Sequence, residues 1–191
     1  SNIFANEIFN LLLVGLFLIV LIVQIFMPIF VSLIAPGFVE DDNKMSLAID
    51  LTRITFPFLM FVSLSSFFSA ILNSHNKFAA ASAAPIILNV LLILVLVFGK
   101  ILNDKLVYYL SYSVSLAGFL QLLFLYSFVK TYYKFELSFK FKINNRVKFF
   151  FKKLLPNIFS SGVTQINILV GTIIASFQAN AVSYLYYADR V

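Results

Sequence analysis

The sequence predicts an all-α protein, a polytopic transmembrane helical bundle. Of its 191 residues, 61% are hydrophobic and only 12% are charged, whereas a soluble domain is about half apolar and a quarter charged. The apolar residues occur in runs of about 20, the length that an α-helix needs to cross a bilayer. A soluble helix of that length would carry a charged face, which these runs lack. Composition and run length together therefore predict membrane-spanning helices.

The apolar runs divide the chain into five full spans and the start of a sixth, all in a single transmembrane domain. The predicted spans are about 9–34, 54–72, 78–98, 106–129 and 154–177, with a partial span at 181–191. A polar turn at 73–77 joins the second and third spans into a hairpin. Because the chain lacks an initiator Met and a basic signal-peptide start, and stops within an apolar segment, we expect an internal fragment of a longer protein.

Basic residues are concentrated between the fourth and fifth spans, in segment 130–153. Eight of the fourteen Lys and Arg residues lie there: Lys130, Lys134, Lys140, Lys142, Arg146, Lys148, Lys152 and Lys153. The positive-inside rule predicts that 130–153 is a cytoplasmic loop and that the acidic segment 40–42 lies outside. Aromatic residues alternate with the lysines, which suits a segment along an anionic leaflet. Nucleic-acid binding is the rival interpretation, but the position between two spans favours the membrane, so no nucleic-acid partner is predicted.

The fifth predicted span carries its polar side chains on one side. At 100° per residue, the polar positions share one arc of the helix and the bulky apolar positions lie opposite. The polar set is Asn157, Ser161, Thr164, Gln165 and Thr172, and the apolar set is Phe159, Val163, Ile166, Val170, Ile173 and Phe177. The polar face either forms hydrogen bonds with other helices or lines a hydrated cavity. Pro156 is expected in the first turn of this helix, where its missing N–H matters little.

Polar residues in the other spans have simpler interpretations. Small packing residues are predicted at Ser63, Ser65, Ser66 and Ser69 in the second span, and at Ser111, Ser115 and Gly118 in the fourth. Pro85 and Asn89 predict a kink in the third span. Arg53, at the outer edge of the second span, is expected to extend to the lipid headgroups.

Arg190 is the charge that requires a special environment. It lies roughly nine residues into a segment that enters from the outside, and hence about 13 Å deep at 1.5 Å per residue. A guanidinium at that depth is unfavourable unless it faces a water-filled cavity, a carboxylate or an anion. Asp189 points about 100° away along the helix, so the two charges need not neutralise each other. The alternative is a helix that begins later, with Arg190 at the interface.

The sequence gives no sign of catalysis. It has no cysteine and a single histidine, His75, which falls in the predicted 73–77 turn. No acidic pair at helical spacing lies within a span, and no glycine-rich phosphate loop is present. We therefore predict a protein that is not an enzyme and has no cofactor or metal site.

Several sequence blocks resemble the MurJ (MviN) family of bacterial lipid II flippases. They are the Thr52–Asn89 hairpin, the turn Ala35-Pro36-Gly37-Phe38, the stretch Leu155-Pro156 through Gln165-Ile166-Asn167, the run Thr172-Ile173-Ile174-Ala175-Ser176-Phe177, and Val182-Ser183-Tyr184-Leu185-Tyr186-Tyr187-Ala188-Asp189-Arg190. The blocks keep the order of the family and cover nearly the whole chain, so together they are far more specific than any one alone.

The resemblance implies both a fold and a function. The chain would correspond to the third helix through the start of the eighth in a transporter of the multidrug/oligosaccharidyl-lipid/polysaccharide (MOP) exporter superfamily, with two helical lobes around a central cavity. Alternating access would carry lipid II, the undecaprenyl-diphosphate-linked disaccharide pentapeptide, from the inner to the outer leaflet of the bacterial cytoplasmic membrane. Membrane lipids would be its other partners, and the product would serve peptidoglycan synthesis.

The resemblance also implies site residues. The arginine of the family's Tyr-Ala-Asp-Arg motif lines the cavity and is implicated in holding the diphosphate, which assigns that role to Arg190, with a bidentate guanidinium–phosphate contact. Candidate cavity-lining residues beside it are Asp189, Asn157, Ser161, Gln165 and Thr172. Some members carry an acidic residue where this chain has Gly171, so cation coupling at that position is not predicted. The alternatives are a flippase for another polyprenyl-linked oligosaccharide, a multidrug antiporter, or a non-transporting membrane scaffold.

Overall fold

The computed structural model describes residues 2–99, 105–135, 145–178 and 180–188, and within these ranges it contains helices and turns but no strand. Its helices are α1 (Asn2–Ile25), α2 (Met27–Ile34), α3 (Asp42–Thr55), α4 (Pro57–Ser74), α5 (Phe78–Phe98), α6 (Leu106–Val129), α7 (Asn145–Ser176) and α8 (Ala181–Ala188), with a 3₁₀ turn at Pro36–Phe38. The fold is therefore all-α, as predicted.

Five helical segments of the described chain are long and apolar enough to cross a membrane. They are Ile3–Ile25, Asp42–Ser74, Phe78–Phe98, Leu106–Val129 and Phe151–Ser176. The chain forms two compact units, one of residues 1–24 and 53–142 and the other of residues 25–52 and 143–191. We call these the first unit and the second unit.

The first unit has a core where α4, α5 and α6 pack together. Its buried residues are Phe68, Leu72, Ala84, Leu125 and Val129, with Phe9 and Phe135 among the partly buried residues against them. The ring of Phe9 stacks on Phe68 with centroids 5.5 Å apart and meets Phe135 at 4.9 Å. Helices α4 and α6 approach closely at Gly118, where a Cβ atom would lie 2.6 Å from the Phe58 ring. Gly118 therefore acts as a packing residue, in agreement with its predicted role.

The predicted helical hairpin is present as α4 and α5. The turn between them closes when the Lys77 N–H donates to the Leu72 carbonyl at 2.9 Å, with Asn76 in the left-handed region at φ 59°. His75 stacks on Tyr132 with centroids 4.4 Å apart, which ties this turn to the segment that follows α6. Pro85 lies inside α5, which continues through it.

A proline break between α3 and α4 explains a polar residue of α1. Because Pro57 has no N–H, the Arg53 carbonyl four residues earlier loses its usual helical donor. The Gln24 side chain supplies a replacement, its Nε2 donating to that carbonyl at 2.8 Å. The next carbonyl, of Ile54, accepts from the Ser115 hydroxyl of α6. Two polar side chains of predicted spans thus satisfy backbone groups around one helix break.

Two predicted spans are longer and more broken than the hydropathy pattern indicated. The predicted first span, 9–34, is two helices, α1 and α2, which are separated at Phe26 with Pro28 in the first turn of α2. The predicted second span, 54–72, is α4, preceded by the additional helix α3 that carries four charged side chains. Arg53 is exposed near the end of α3.

The interpretation of the basic segment requires a correction. Helix α7 begins at Asn145, so residues 145–153 are helical and not part of a loop. Pro156 consequently lies inside the helix, and its predicted place in the first turn is wrong. A proline there removes one backbone hydrogen bond, while the residues before it are mostly apolar or basic helix formers. The 32 residues of α7 extend about 48 Å, which exceeds the hydrocarbon core of a bilayer.

Candidate functional site

Helix α7 carries most of the predicted cavity-lining residues. Asn157, Ser161 and Gln165 are all exposed. Thr172 is partly buried, and its hydroxyl donates to the Ile168 carbonyl at 2.8 Å within the same helix. The structure places these side chains along one α-helix at the spacing that the sequence predicted, within an arc of about 80°.

Burial does not separate the two faces of α7. On the apolar face, Phe159 is 74% exposed and Ile166 is 62% exposed, so this face is as accessible as the polar one. No residue in the most apolar window of Phe151–Ser176 is buried among the described residues. Which face meets lipid and which meets a cavity therefore stays a prediction.

Arg190 and Asp189 lie outside the described residues. The described part of α8 begins at Ala181, as the sequence predicted for the sixth span, and runs to Ala188. The α7–α8 turn contains Asn180 in the left-handed region at φ 62°. In α8, Tyr184 and Tyr187 are exposed at 68% and 69%.

The end of α7 contacts the Pro36–Phe38 turn within the second unit. The Gly37 N–H donates to the Ser176 hydroxyl oxygen at 3.0 Å, a contact between residues 139 positions apart. Ser176 is only 4% exposed, and its hydroxyl in turn donates to the Ile173 carbonyl at 2.7 Å. The Ser176 hydroxyl thus bonds to a carbonyl of its own helix and to the turn at the same time.

A polar cleft of about 480 Å³ borders this contact. Apart from Gly37 and Ser176, its lining includes Glu40, Asp41, Lys44, Gln178, Asn180 and Ser183. Asp41 caps α3, because its carboxylate accepts the backbone N–H groups of Asn43 and Lys44, each at 3.1 Å. The Lys44 ammonium lies 3.1 Å from the same carboxylate. The N–H of Lys44 and then its side chain hold the pKa of Asp41 below its ordinary value of 3.8.

Sequence reasoning missed the contact between Gly37 and Ser176. The sequence marked residues 35–38 as a turn and Ser176 as part of a recognisable block, but neither signal linked one to the other. Only the fold brings together two residues so far apart in the chain.

Comparison with known proteins gives one consistent result. The family model described as Lipid II flippase MurJ matches residues 1–191. The probable lipid II flippase MurJ of Rickettsia prowazekii (strain Madrid E) is 40% identical over 195 residues, covering 100% of this chain and 38% of the relative. The protein of the same name from Rhizobium tropici is 38% identical, covering 98% of this chain and 36% of the relative. The one from Helicobacter pylori (strain ATCC 700392 / 26695) is 37% identical over 84% of this chain and 38% of the relative. The chain therefore spans less than two fifths of the length of these relatives.

Proposed function

The chain belongs to the lipid II flippase MurJ family, and we propose that the full-length protein moves lipid II from the inner to the outer leaflet of the bacterial cytoplasmic membrane. The observation that carries this proposal is the family match over all 191 residues, which includes the Tyr-Ala-Asp-Arg ending. Five helical segments of the described residues are able to span a membrane, so the protein is a multi-pass membrane protein. The basic segment 130–153 is assigned to the cytoplasm by the positive-inside rule.

The chemistry of the substrate defines the role of Arg190. Lipid II carries a diphosphate that has to pass the apolar interior of the bilayer, and a guanidinium can bind phosphate oxygens through two parallel hydrogen bonds. A charge in the middle of a membrane costs about 2.5–3.5 kcal/mol on insertion scales, so it is tolerated best in a water-filled cavity. Arg190 lies two residues along the chain from Ala188, the last described residue of α8, and is the residue we assign to the diphosphate.

Helix α7 would supply polar lining beside that arginine. Asn157, Ser161 and Gln165 offer hydroxyl and amide groups along one exposed arc of the helix. Such groups can hydrogen-bond with water, sugar hydroxyls or peptide amides as the head group passes. Asp189 and Thr172 complete the proposed lining. Alternating access between the two leaflets is the transport mode that we propose for this site.

Complementation of a flippase-depleted bacterium with the full-length protein tests the proposal. Wild-type protein should restore growth, Arg190→Ala should abolish it, and Arg190→Lys should impair it because an ammonium lacks the planar fork. Arg53→Ala is the matched control, a second arginine that is exposed near the end of α3, and it should have a milder effect. Membrane levels of each variant are measured in parallel. Normal growth of Arg190→Ala at wild-type levels would remove Arg190 from the site, and failure of the wild-type protein to complement would contradict lipid II flipping.

Three other functions are tested by the same complementation experiment. A flippase for another polyprenyl-linked oligosaccharide, or a multidrug antiporter, would fail to rescue the lipid II flippase deficit. A non-transporting scaffold would show no transport with either the wild-type protein or Arg190→Ala. The family match favours lipid II flipping over all three.

A further inference from the structure

The polar cleft of the second unit has firmly positioned walls. The Pro36–Phe38 turn and α2 both pack on α7, and a Cβ atom built on Gly37 would overlap the Ser176 carbonyl. In the α7–α8 turn, Asn180 is in the left-handed region at φ 62°, and its carbonyl accepts the Tyr184 N–H at 3.1 Å. The volume of the cleft, about 480 Å³, is within the range of about 300–1,000 Å³ that is typical of small-molecule sites.

The charges of the lining disfavour anions and metal ions. Asp41 is already bound by the Lys44 ammonium and by two backbone N–H groups. The Glu40 carboxylate is exposed and has no hydrogen bond or ion pair within the described part of the chain. With Glu40 and Asp41 against Lys44, the lining has a formal charge of −1, which repels a phosphate or another anion. Among the described residues, no group of three or more His, Asp or Glu side chains is placed to hold a metal ion.

The remaining polar side chains suit a neutral ligand that is rich in hydroxyl groups. Gln178, Asn180 and Ser183 line the cleft and are exposed. Each of them offers both a donor and an acceptor, and Glu40 adds a further acceptor. Because a hydroxyl group also donates and accepts, several neighbouring hydroxyl groups can be matched by these side chains.

Two aromatic rings supply the apolar part of the same cleft. Phe38 lines it from the turn, and Phe177, which is 63% exposed, lines it from the end of α7. A pyranose ring has hydroxyl groups at its edge and C–H groups on its faces, so it can form hydrogen bonds and pack on an aromatic ring at the same time. A carboxylate, amides and phenyl rings in one cleft therefore indicate a carbohydrate ligand. A peptide chain is matched less well, because Glu40 would repel its terminal carboxylate.

We propose that the polar cleft is a carbohydrate site, which binds the neutral disaccharide of the lipid II head group in addition to the diphosphate contact assigned to Arg190. This inference rests on the proposed flippase function. In this site Glu40, Gln178 and Asn180 form hydrogen bonds with the sugars, and Phe177 packs on a sugar ring. The cleft thereby distinguishes lipid II from a polyprenyl diphosphate that carries no sugar.

Binding of a free disaccharide tests the site without a transport assay. The probe is N,N′-diacetylchitobiose, a neutral disaccharide of N-acetylated amino sugars. It is titrated against the full-length protein in nanodiscs, where both membrane faces are accessible, and its binding is followed by saturation-transfer NMR. The wild-type protein should bind it saturably, with a Kd in the millimolar range. Glu40→Ala and Gln178→Ala should each raise the Kd at least about threefold, because each removes one hydrogen-bonding group from the site.

Asp42→Ala is the matched control for Glu40→Ala. It removes a neighbouring exposed carboxylate that does not line the cleft, and it should leave the Kd unchanged. Inorganic diphosphate should not displace the disaccharide. Absence of saturable binding, an unchanged Kd in both cleft variants, or an equal rise in Asp42→Ala would overturn the carbohydrate site. Displacement by diphosphate would also overturn it, since the cleft would then bind an anion.

Lipid II and undecaprenyl diphosphate provide the second arm, because both carry the diphosphate and only lipid II carries the sugars. Their binding to the full-length protein in detergent micelles is measured by native mass spectrometry. The variant that combines Glu40→Ala with Gln178→Ala should bind lipid II at least about fivefold more weakly, and undecaprenyl diphosphate as the wild type does. Arg190→Ala should weaken the binding of both lipids.

The outcomes separate the carbohydrate site from the proposed function. If the combined cleft variant binds lipid II as tightly as the wild type, or loses both lipids equally, the cleft does not hold the sugars of the substrate and the proposal is overturned. If the wild-type protein neither binds nor flips lipid II, the proposed function fails, whereas the titration with the free disaccharide still decides whether the cleft binds carbohydrate.

Discussion

Helices α6 and α7 have similar apolar compositions but use their polar residues differently. In α6, 33% of the residues in the most apolar 18-residue stretch are buried, and Ser111, Ser113 and Gln121 are among the buried residues of the helix. In α7 none of the corresponding window is buried, and the polar stripe from Asn157 to Gln165 is exposed. Polar residues therefore let helices pack closely in the first unit, whereas in the second unit they form an accessible stripe. The proposed function assigns a role in transport to the exposed stripe.

The largest expected difference between the two units is in their response to lost side-chain volume. Leu72 is fully buried in the α4–α5–α6 core, and Val163 in α7 is 70% exposed. Leu72→Ala should lower the free energy of unfolding by about 2 kcal/mol, the lower end for buried leucines, because in lipid the loss is mainly of packing. Val163→Ala should change it by less than about 0.5 kcal/mol.

Unfolding of the full-length protein in mixed micelles, followed by loss of helical circular dichroism, measures both variants. Phe68→Ala, which affects the same core at a residue 2% exposed, serves as a second core variant. Equal effects of Leu72→Ala and Val163→Ala would mean that α7 is packed as tightly as the core, and would contradict the difference in packing between the two units.

A smaller effect is expected at the proline break of the first unit. Gln24→Leu leaves the Arg53 carbonyl without its side-chain donor and should destabilise the protein by about 1 kcal/mol. Combining it with Pro57→Ala restores a backbone N–H four residues after Arg53 and should remove most of that loss. A double-mutant cycle of thermal stability tests the pair. Additive effects would show that Gln24 does not compensate for the proline.

The smallest expected effect is at the cap of α3 in the second unit. Asp41→Ala removes the side-chain acceptor and should speed amide hydrogen exchange in the first turn of α3 without measurable loss of global stability, because the cap is solvent-exposed. The pKa of Asp41 is lower in the folded protein than its ordinary value of 3.8. Its contribution is therefore fully present above about pH 3.8 and lost as the pH falls further. Exchange rates corrected for intrinsic pH dependence should not change between pH 8 and 5, and a change in that interval would assign the cap to another group.

The sequence was most informative where apolar runs have sharp polar boundaries. Helices α5 and α6 extend over 78–98 and 106–129, the ranges that the apolar runs indicated. It was least informative where a helix is charged or extends beyond an apolar run. Helix α3 is too charged to appear as an apolar run, and the start of α7 contains several Lys residues among its Phe residues. The hydropathy pattern therefore did not indicate α3 or the start of α7. Which sides of the membrane these helices connect stays a prediction.

In the candidate site too, the sequence predicted some features and missed others. The periodicity of a single helix predicted the polar arc of α7, because side-chain direction depends only on local geometry. The contact of Gly37 with Ser176 depends on how two distant turns meet, and no local pattern encodes that. The role of Arg190 came from a sequence motif together with the chemistry of phosphate binding.

Solvent accessibility along α7 in the membrane tests most directly whether this helix is part of a transport path. Single cysteines at Asn157, Ser161 and Gln165, and for comparison at Phe159, Val163 and Ile166, would be introduced into the full-length protein in native vesicles. Their reaction rates with a hydrophilic maleimide are then compared at equal protein content. A transport path along α7 predicts fast labelling at the three polar positions and slow labelling at the three apolar ones, because one face meets water and the other meets lipid. Equal protection of both sets would contradict it, and would instead indicate that the polar face forms hydrogen bonds with other helices.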